Sequence, residues 1–329
     1  MPRSLLDLVT SALPDGLPFT SRIIRGGLGQ AFGPPAFDLS ADPGDPGLFG
    51  PGSASWAVIS EPAAIVGGIR ALLVQLLHPL AMAGVADHSR FRNDALGRLQ
   101  RTSAYVTATT FGATREVFNA TAAVRGVHRR VVGTAPDGRP YRADEPHLLA
   151  WVSIALTSSF LRTHRLYATP RLQADVADRF VAEQSRAGAL LDPRVDLTAL
   201  RQDADAVAAL QAGRFPLPML EDATLPQSVA ELEARSAEYA TEWDVNDQAL
   251  QALRFLRWPD VPPALRAGYL PLFAGAVASL EPAQRRMLGL RMGAAARPVQ
   301  AQTRVALLAM RIAAGVSPAL EAARRRATA

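Results

Sequence analysis

The sequence of 329 residues contains neither cysteine nor lysine. Without cysteine, the chain has no disulfide bond, no thiolate metal site and no cysteine nucleophile. All 35 side chains counted as basic are therefore arginines, and the formal net charge is +5. The arginines are interspersed with acidic residues and form no basic stripe with interleaved aromatics. The composition therefore gives no indication of nucleic-acid binding.

Aromatic residues are also scarce, at 6% of the chain, whereas hydrophobic residues make up 49%. The core is therefore expected to consist mainly of aliphatic side chains. The N-terminus lacks the basic, apolar and small-residue segments of a secretory signal. The most apolar window, residues 62–86, is interrupted by Arg70, His78 and Pro79, so we interpret it as a buried helix rather than a membrane span. These features predict a cytoplasmic protein, with contact to a membrane surface left open.

The chain divides by composition into an N-terminal arm and one long helical region. Residues 1–55 combine a short helical segment with a stretch rich in glycine and proline at 26–52, which predicts irregular structure. From Trp56 onward the helical pattern is continuous, with no internal repeat and no low-complexity linker. A Pro-Asp-Gly turn at 136–138 predicts the only β-hairpin. We therefore predict an all-α fold, with a single large helical domain over 56–329.

Two polar clusters lie within the otherwise apolar helical region. Arg98, Arg101 and Thr102 have the spacing i, i+3, i+4, which places them on one face of a helix predicted over about 95–110. The same spacing recurs on the next predicted helix, at about 115–132, in Arg125, His128 and Arg129. Burying these groups is costly unless a partner neutralises them. An anionic, planar, iron-bearing ligand such as haem would be a suitable partner.

Two segments carry a resemblance to a known family: GGIRALLVQLLHPLAMAGVADHSRFRNDALGRLQRT (67–102) and VRGVHRRVVGTAPDGRPYRADEPHLLAWV (124–152). They resemble the rubber oxygenase (latex-clearing protein) and MpaB oxygenase family, most clearly over residues 56–166. The resemblance implies a globin-like helical core, a b-type haem and oxidative attack on alkenes with O2. It matches His128 to the proximal haem ligand, which follows a Val-Arg-x-x pattern. It matches Arg98, Arg101 and Thr102 to a distal Arg-x-x-Lys-Thr motif.

The sequence departs from the family pattern in three places. Arg101 replaces the lysine, and a protonated guanidinium has no lone pair to donate to iron, so a lysine-gated closed state is not expected. No motif identifies the distal carboxylate that acts as base in rubber oxygenase. Ser153 stands after the Trp-Val pair, where relatives carry histidine. The candidates for the missing base are Glu61, Asp87 and Asp94.

Structural alternatives remain for each residue of the two clusters. His128 could be a structural helix histidine rather than an axial ligand. Arg125 and Arg129 could pair with haem propionates or be solvated helix charges. Arg101 and Thr102 could hydrogen-bond oxygen or an oxyanion, or else belong to a face that forms ion pairs with Asp87 or Asp94. Arg98 is expected to orient rather than react.

The other four histidines have weaker assignments. His78 could be a second axial ligand, a group of the haem pocket or a packed core histidine. His88 could cap a helix or meet a propionate, with capping favoured. His147 and His164 are predicted to lie on the surface. The sequence has no His-x-x-x-His zinc signature and no carboxylate-rich di-iron spacing.

The sequence therefore predicts a haem-b-dependent oxygenase in which His128 is the iron ligand. His78, Arg125 and Arg129 would assist cofactor binding, and Arg98, Arg101 and Thr102 would form the catalytic group. The substrates would be O2 and a hydrophobic, unsaturated, isoprenoid-like molecule. The alternatives are a helical haem- or lipid-binding protein without turnover and, more weakly supported, an iron-free scaffold.

Overall fold

The computed structural model of the protein describes residue 38, residues 41–88 and residues 95–329, except for the side chains of residues 95, 96, 98 and 99. The short helix predicted near the N-terminus lies outside these residues, as does most of the polar connection predicted at 87–94. Residues 41–53 form turns that lead into the first helix. The described part of the chain is all-α, with one two-stranded sheet.

The first half of the described chain contains seven helices and both strands. They are α1 (Ala54–Ile59), α2 (Ala63–Gln75), α3 (Pro79–His88), α4 (Ala95–Phe111), α5 (Thr114–His128), β1 (Val132–Thr134), β2 (Pro140–Arg142), α6 (Pro146–Tyr167) and α7 (Ala174–Ala189).

Nine further α-helices and two 3-10 turns complete the described chain. They are α8 (Leu197–Gln202), α9 (Ala204–Gln211), α10 (Pro218–Glu221), α11 (Val229–Tyr239) with the 3-10 turn Ala240–Glu242, α12 (Asp247–Arg257), α13 (Pro263–Ser279), α14 (Pro282–Met287), the 3-10 turn Gly293–Ala295, α15 (Ala296–Ala314) and α16 (Pro318–Thr328).

Helices α2 and α6 pack against each other at the centre of the fold. Helix α2 is apolar on nearly all sides, and ten of its thirteen residues are buried, as expected for a helix enclosed by others. Helix α6 begins with Pro146 at its N-terminus, where the missing N–H of proline costs no hydrogen bond. Helix α13 packs on α2, α15 packs on α13, and α7 packs on α6 and α1. The core is thus a layered set of helices around the α2–α6 pair.

The predicted hairpin is confirmed. β1 and β2 pair antiparallel, with Val132 opposite Arg142 and Gly133 opposite Tyr141. Gly138 has a φ of +86°, a conformation that glycine adopts without steric cost, which explains why the Pro-Asp-Gly turn forms here. The hairpin packs on α3 through Tyr141.

Two predicted helix boundaries differ from the structure. The apolar segment predicted to be one helix up to His78 ends at Gln75, and a second helix begins at Pro79, bent by 101° from the first. Pro79 starts the new helix because it lacks the N–H that continuing α2 would require. Helix α5 ends at His128 rather than near 132, because the next residues turn into β1.

Among the described residues, the longest apolar helices fall short of the length and composition needed to cross a membrane singly. Two bent pairs reach that threshold jointly, namely Ala63–Gln75 with Pro79–His88 and Gly293–Ala314 with Pro318–Thr328.

Candidate functional site

The two polar clusters lie on neighbouring helices. Helix α4 carries Arg98, Arg101 and Thr102, α5 carries Arg125 and His128, and the two helices pack against each other. They are joined by only two residues, a short connection that makes contacting helices antiparallel. The start of α4 and the end of α5 therefore lie at the same end of this helical hairpin.

His128 occupies the last turn of α5 and is half-buried. Its Nδ1 atom is buried and has no hydrogen-bond partner among the described residues. Burial lowers the pKa of His128, against the opposing effect of the Asp144 carboxylate, so the imidazole is neutral near pH 7. Val127 and Val132 on either side are 50% and 42% exposed. His128 therefore lies in a segment with exposed apolar side chains, and its Nδ1 has no partner in the described chain.

The arginines beside His128 differ in their surroundings. The Arg125 guanidinium donates to the carbonyl oxygens of Val195, at 2.8 Å, and Pro193, at 3.0 Å. These bonds attach α5 to the segment that precedes α8. Arg129, immediately after α5, is exposed. Arg129 is the more exposed of the two.

The catalytic group predicted on α4 is described in part. Arg101 is exposed and Thr102 is half-buried, whereas the side chain of Arg98 lies outside the described atoms. The roles predicted for these three residues stay predictions.

The candidates for a catalytic carboxylate have other partners. Asp87 Oδ2 accepts a 2.6 Å hydrogen bond from the Tyr141 hydroxyl. Glu61 forms a 3.2 Å ion pair with Arg311, and burial raises the pKa of this carboxyl despite that cation. Asp94 lies outside the described residues. Neither Glu61 nor Asp87 therefore stands as an uncommitted base.

Ser153, the third departure from the family pattern, lies where α6 contacts α7. A Cβ atom placed on Gly188 would come within 2.5 Å of the Ser153 hydroxyl oxygen. The backbone of α7 thus approaches position 153 closely, and a small side chain fits there.

The prediction that His164 lies on the surface is wrong. His164 is only 4% exposed, because α6 is enclosed by other helices along most of its length. Burial, with a smaller contribution from the Arg311 cation, lowers the pKa of His164 to about 4. His88 is exposed, and its Nε2–H donates to the Val132 carbonyl at 3.0 Å. It therefore ties α3 to the hairpin.

The structure also brings together three side chains that sequence spacing did not connect. His78, His147 and Glu242 each offer a ligand atom, and these atoms lie within 4.8 Å of one another. Both carboxylate oxygens of Glu242 lie 3.0 Å from His147 Nε2, and Oε2 lies 3.3 Å from His78 Nε2. We call these residues the His–His–Glu cluster. His147 was predicted only as a surface residue, and Glu242 was not singled out.

Elements far apart in sequence build the His–His–Glu cluster. His78 lies between α2 and α3, His147 in the first turn of α6, and Glu242 at the end of the 3-10 turn after α11. The Asp244 N–H donates to the Leu77 carbonyl at 2.9 Å, which fixes the segment of Glu242 against that of His78. Helix α6 supplies His147 from the opposite side.

The family model described as "ER-bound oxygenase mpaB/B'/Rubber oxygenase, catalytic domain" matches residues 56–314. The chain belongs to this family. The match confirms the resemblance drawn from the two sequence segments. Searches against curated proteins and against solved structures found no match.

Membership of the mpaB/rubber oxygenase family supports oxygenase chemistry, and hence an enzyme that uses O2 and a substrate. The matched region contains both polar clusters on α4 and α5. It also contains all three residues of the His–His–Glu cluster, and it excludes α16.

Proposed function

We propose that the protein is a haem-b-dependent oxygenase that acts with O2 on a hydrophobic, unsaturated, isoprenoid-like substrate. The observation that carries this proposal is the buried, unpartnered Nδ1 of His128. It belongs to a neutral imidazole at the position that matches the proximal ligand of the family. An unsatisfied buried nitrogen is uncommon in native proteins and calls for a partner. Coordination of the haem iron by this nitrogen would satisfy it and would leave Nε2 for a polar neighbour.

The residues around His128 fit a planar apolar ligand with carboxylate groups. Val127 and Val132, close to His128 in the sequence, expose apolar surface, which a porphyrin would cover favourably. Arg129 is exposed beside His128 and would pair with a propionate. Arg125 would join it only by releasing its two carbonyl acceptors. The cofactor role predicted for His78 stays a prediction, because its described contacts are with Ala81 and Glu242.

When bound, haem b supplies an iron centre for O2 chemistry. The chain itself would supply donors at the start of α4. The Arg101 guanidinium and the Thr102 hydroxyl would donate hydrogen bonds to oxygen atoms on which negative charge develops. Arg98 would orient these groups. Aliphatic side chains of the surrounding helices would exclude water from an apolar substrate.

Hemin titration of the full chain tests the cofactor assignment. We expect the wild-type protein to bind one haem with a Soret band, and His128→Ala to lose that band while keeping the wild-type circular dichroism. His88→Gln is the matched control, since it changes an exposed histidine whose hydrogen bond within the described residues goes to the hairpin backbone. Full haem occupancy and an unaltered spectrum in His128→Ala would remove His128 from the site.

Replacing the donors on α4 tests the catalytic assignment. We expect Arg101→Gln and Thr102→Val each to lower the rate of O2 uptake with an unsaturated isoprenoid by about 100-fold, the usual loss for one oxyanion donor. Hemin affinity should stay unchanged, because neither residue is proposed to hold the cofactor. Wild-type rates in both variants would contradict the assignment.

A second candidate function is a haem- or lipid-binding protein without turnover. The structure supports this alternative because neither carboxylate serves as a free base. Glu61 pairs with Arg311, and Asp87 accepts a hydrogen bond from Tyr141. Haem-loaded protein that shows no O2 uptake across a range of isoprenoids would favour this alternative over the oxygenase.

A further inference from the structure

We infer that the His–His–Glu cluster is a binding site for one divalent first-row transition-metal ion, distinct from the haem ligand proposed at His128. The site combines a fully buried imidazole with a half-exposed imidazole and a carboxylate that reaches both. Two imidazoles and one carboxylate form the donor set that proteins use for Zn²⁺ and for non-haem Fe²⁺.

The distance from the carboxylate to each imidazole suits a single ion. Metal–nitrogen and metal–oxygen bonds of about 2.0–2.2 Å require neighbouring donors to lie roughly 3.0–3.5 Å apart. The Glu242 carboxylate lies 3.0 Å from His147 Nε2 and 3.3 Å from His78 Nε2, and no pair of ligand atoms exceeds 4.8 Å. The side chain of His147 is 46% exposed, so it has room to move inward.

The buried histidine supplies a second, independent observation. His78 is fully buried, and its Nε2 has no hydrogen-bond partner among the described residues. The Glu242 carboxylate lies near this nitrogen, with Oε2 at 3.3 Å. Trp151 packs beside His78 in a tilted arrangement, with the ring centres 5.4 Å apart. A buried imidazole nitrogen left unsatisfied indicates an ion or a water that completes it.

Contacts from outside the cluster position His147. The Tyr239 hydroxyl donates to the His147 carbonyl at 2.8 Å and lies 3.3 Å from His147 Nδ1. Partners of this kind on the second imidazole nitrogen orient ligands and raise metal affinity. On the other side, the Ala81 N–H meets His78 Nδ1 at 3.4 Å. Binding through Nε2 would place the proton on Nδ1 and break this contact, which is already long.

The arrangement leaves part of the coordination sphere open. Only three protein ligands are present in the described cluster, and two of them, His147 and Glu242, reach solvent. Open positions distinguish sites with exchangeable water from closed structural sites. The ion would therefore keep at least one water on the side that faces solvent.

Metal titration of the full chain, without added haem, tests the site. We expect wild-type protein to bind one Zn²⁺ per chain by calorimetry, and Co²⁺ at the same site to show visible d–d absorption. Glu242→Gln and His147→Ala should each weaken Zn²⁺ binding by about 100-fold or more. Tyr239→Phe, which removes only an outer contact, should cost about 10-fold. Circular dichroism would establish that each variant is folded.

Matched controls separate this site from the haem proposal. His88→Gln and His128→Ala should bind Zn²⁺ with wild-type affinity, and Glu242→Gln should bind hemin as the wild type does. The inference is overturned if the wild type binds no Zn²⁺ in stoichiometric amount. It is also overturned if Glu242→Gln and His147→Ala retain wild-type affinity. In either case the His128 assignment would be unaffected.

Discussion

Acidification from about pH 7 to about pH 4 should reduce the unfolding free energy of the wild-type protein by about 3 kcal/mol more than that of His164→Leu. His164 is 4% exposed, and burial lowers its pKa to about 4. In the unfolded chain, the imidazole returns to its ordinary pKa of about 6.5. The unfolded state therefore takes up a proton as the pH falls below 6.5, while the folded state does not. The contribution of His164 to the unfolding free energy is fully present above about pH 6.5 and is lost progressively as the pH falls to about 4.

The carboxyl of Glu61 changes stability with pH in the opposite direction, so the contribution of His164 is measured as a difference between the wild type and His164→Leu. Burial raises the pKa of Glu61, so this group binds a proton more readily in the folded state and favours folding as the pH falls. Both Glu61 and His164 interact with Arg311. Urea unfolding of wild type and His164→Leu at several pH values would isolate the histidine contribution. Parallel pH profiles for the two proteins would contradict the prediction.

His164 also shows a limit of the sequence prediction. It was placed on the surface because no partner was evident in the sequence, although the segment from Leu148 to Phe160 is apolar on nearly every face. A helix that is apolar all round is normally enclosed, and thirteen residues of α6 are buried. That pattern was the available signal, and it marks His164 as a core residue.

The parts of the fold that the sequence predicted correctly follow from local features. The start of α6 at Pro146 follows from the chemistry of one proline, and the hairpin follows from the turn around Gly138. The end of α2 was misplaced, because Pro79 begins a separate helix instead of ending one. The order and packing of α11 to α16 depend on long-range contacts, which no short motif specifies.

The candidate sites show the same division between local and distant information. The sequence predicts His128 as a candidate because Arg125 and His128 lie within one helical turn and match a family motif. The His–His–Glu cluster could not be found in this way, because His78, His147 and Glu242 lie on separate elements. Only the folded packing of α6 and the turn after α11 against the α2–α3 junction brings their ligand atoms together.

Gly67 lies where α2 packs against α6. A Cβ atom at this position would lie 2.7 Å from Phe160 Cδ1, 2.8 Å from Thr163 Oγ1 and 3.2 Å from the Phe160 Cα. The last of these is a backbone atom, so a rotation of Phe160 alone cannot make room, and the two central helices must separate.

We expect Gly67→Ala to lower the unfolding free energy by about 1–3 kcal/mol, the usual cost of overpacking a core. Alanine itself favours a helix over glycine by about 1 kcal/mol, so the loss would occur against the local preference. Gly268→Ala in α13 is the matched control, because a Cβ there meets no atom within 4 Å. That variant should gain about 0.4–1 kcal/mol. Urea unfolding of both variants should therefore give changes of opposite sign, and a stabilised Gly67→Ala protein would show that α2 and α6 are less closely packed than the structure describes.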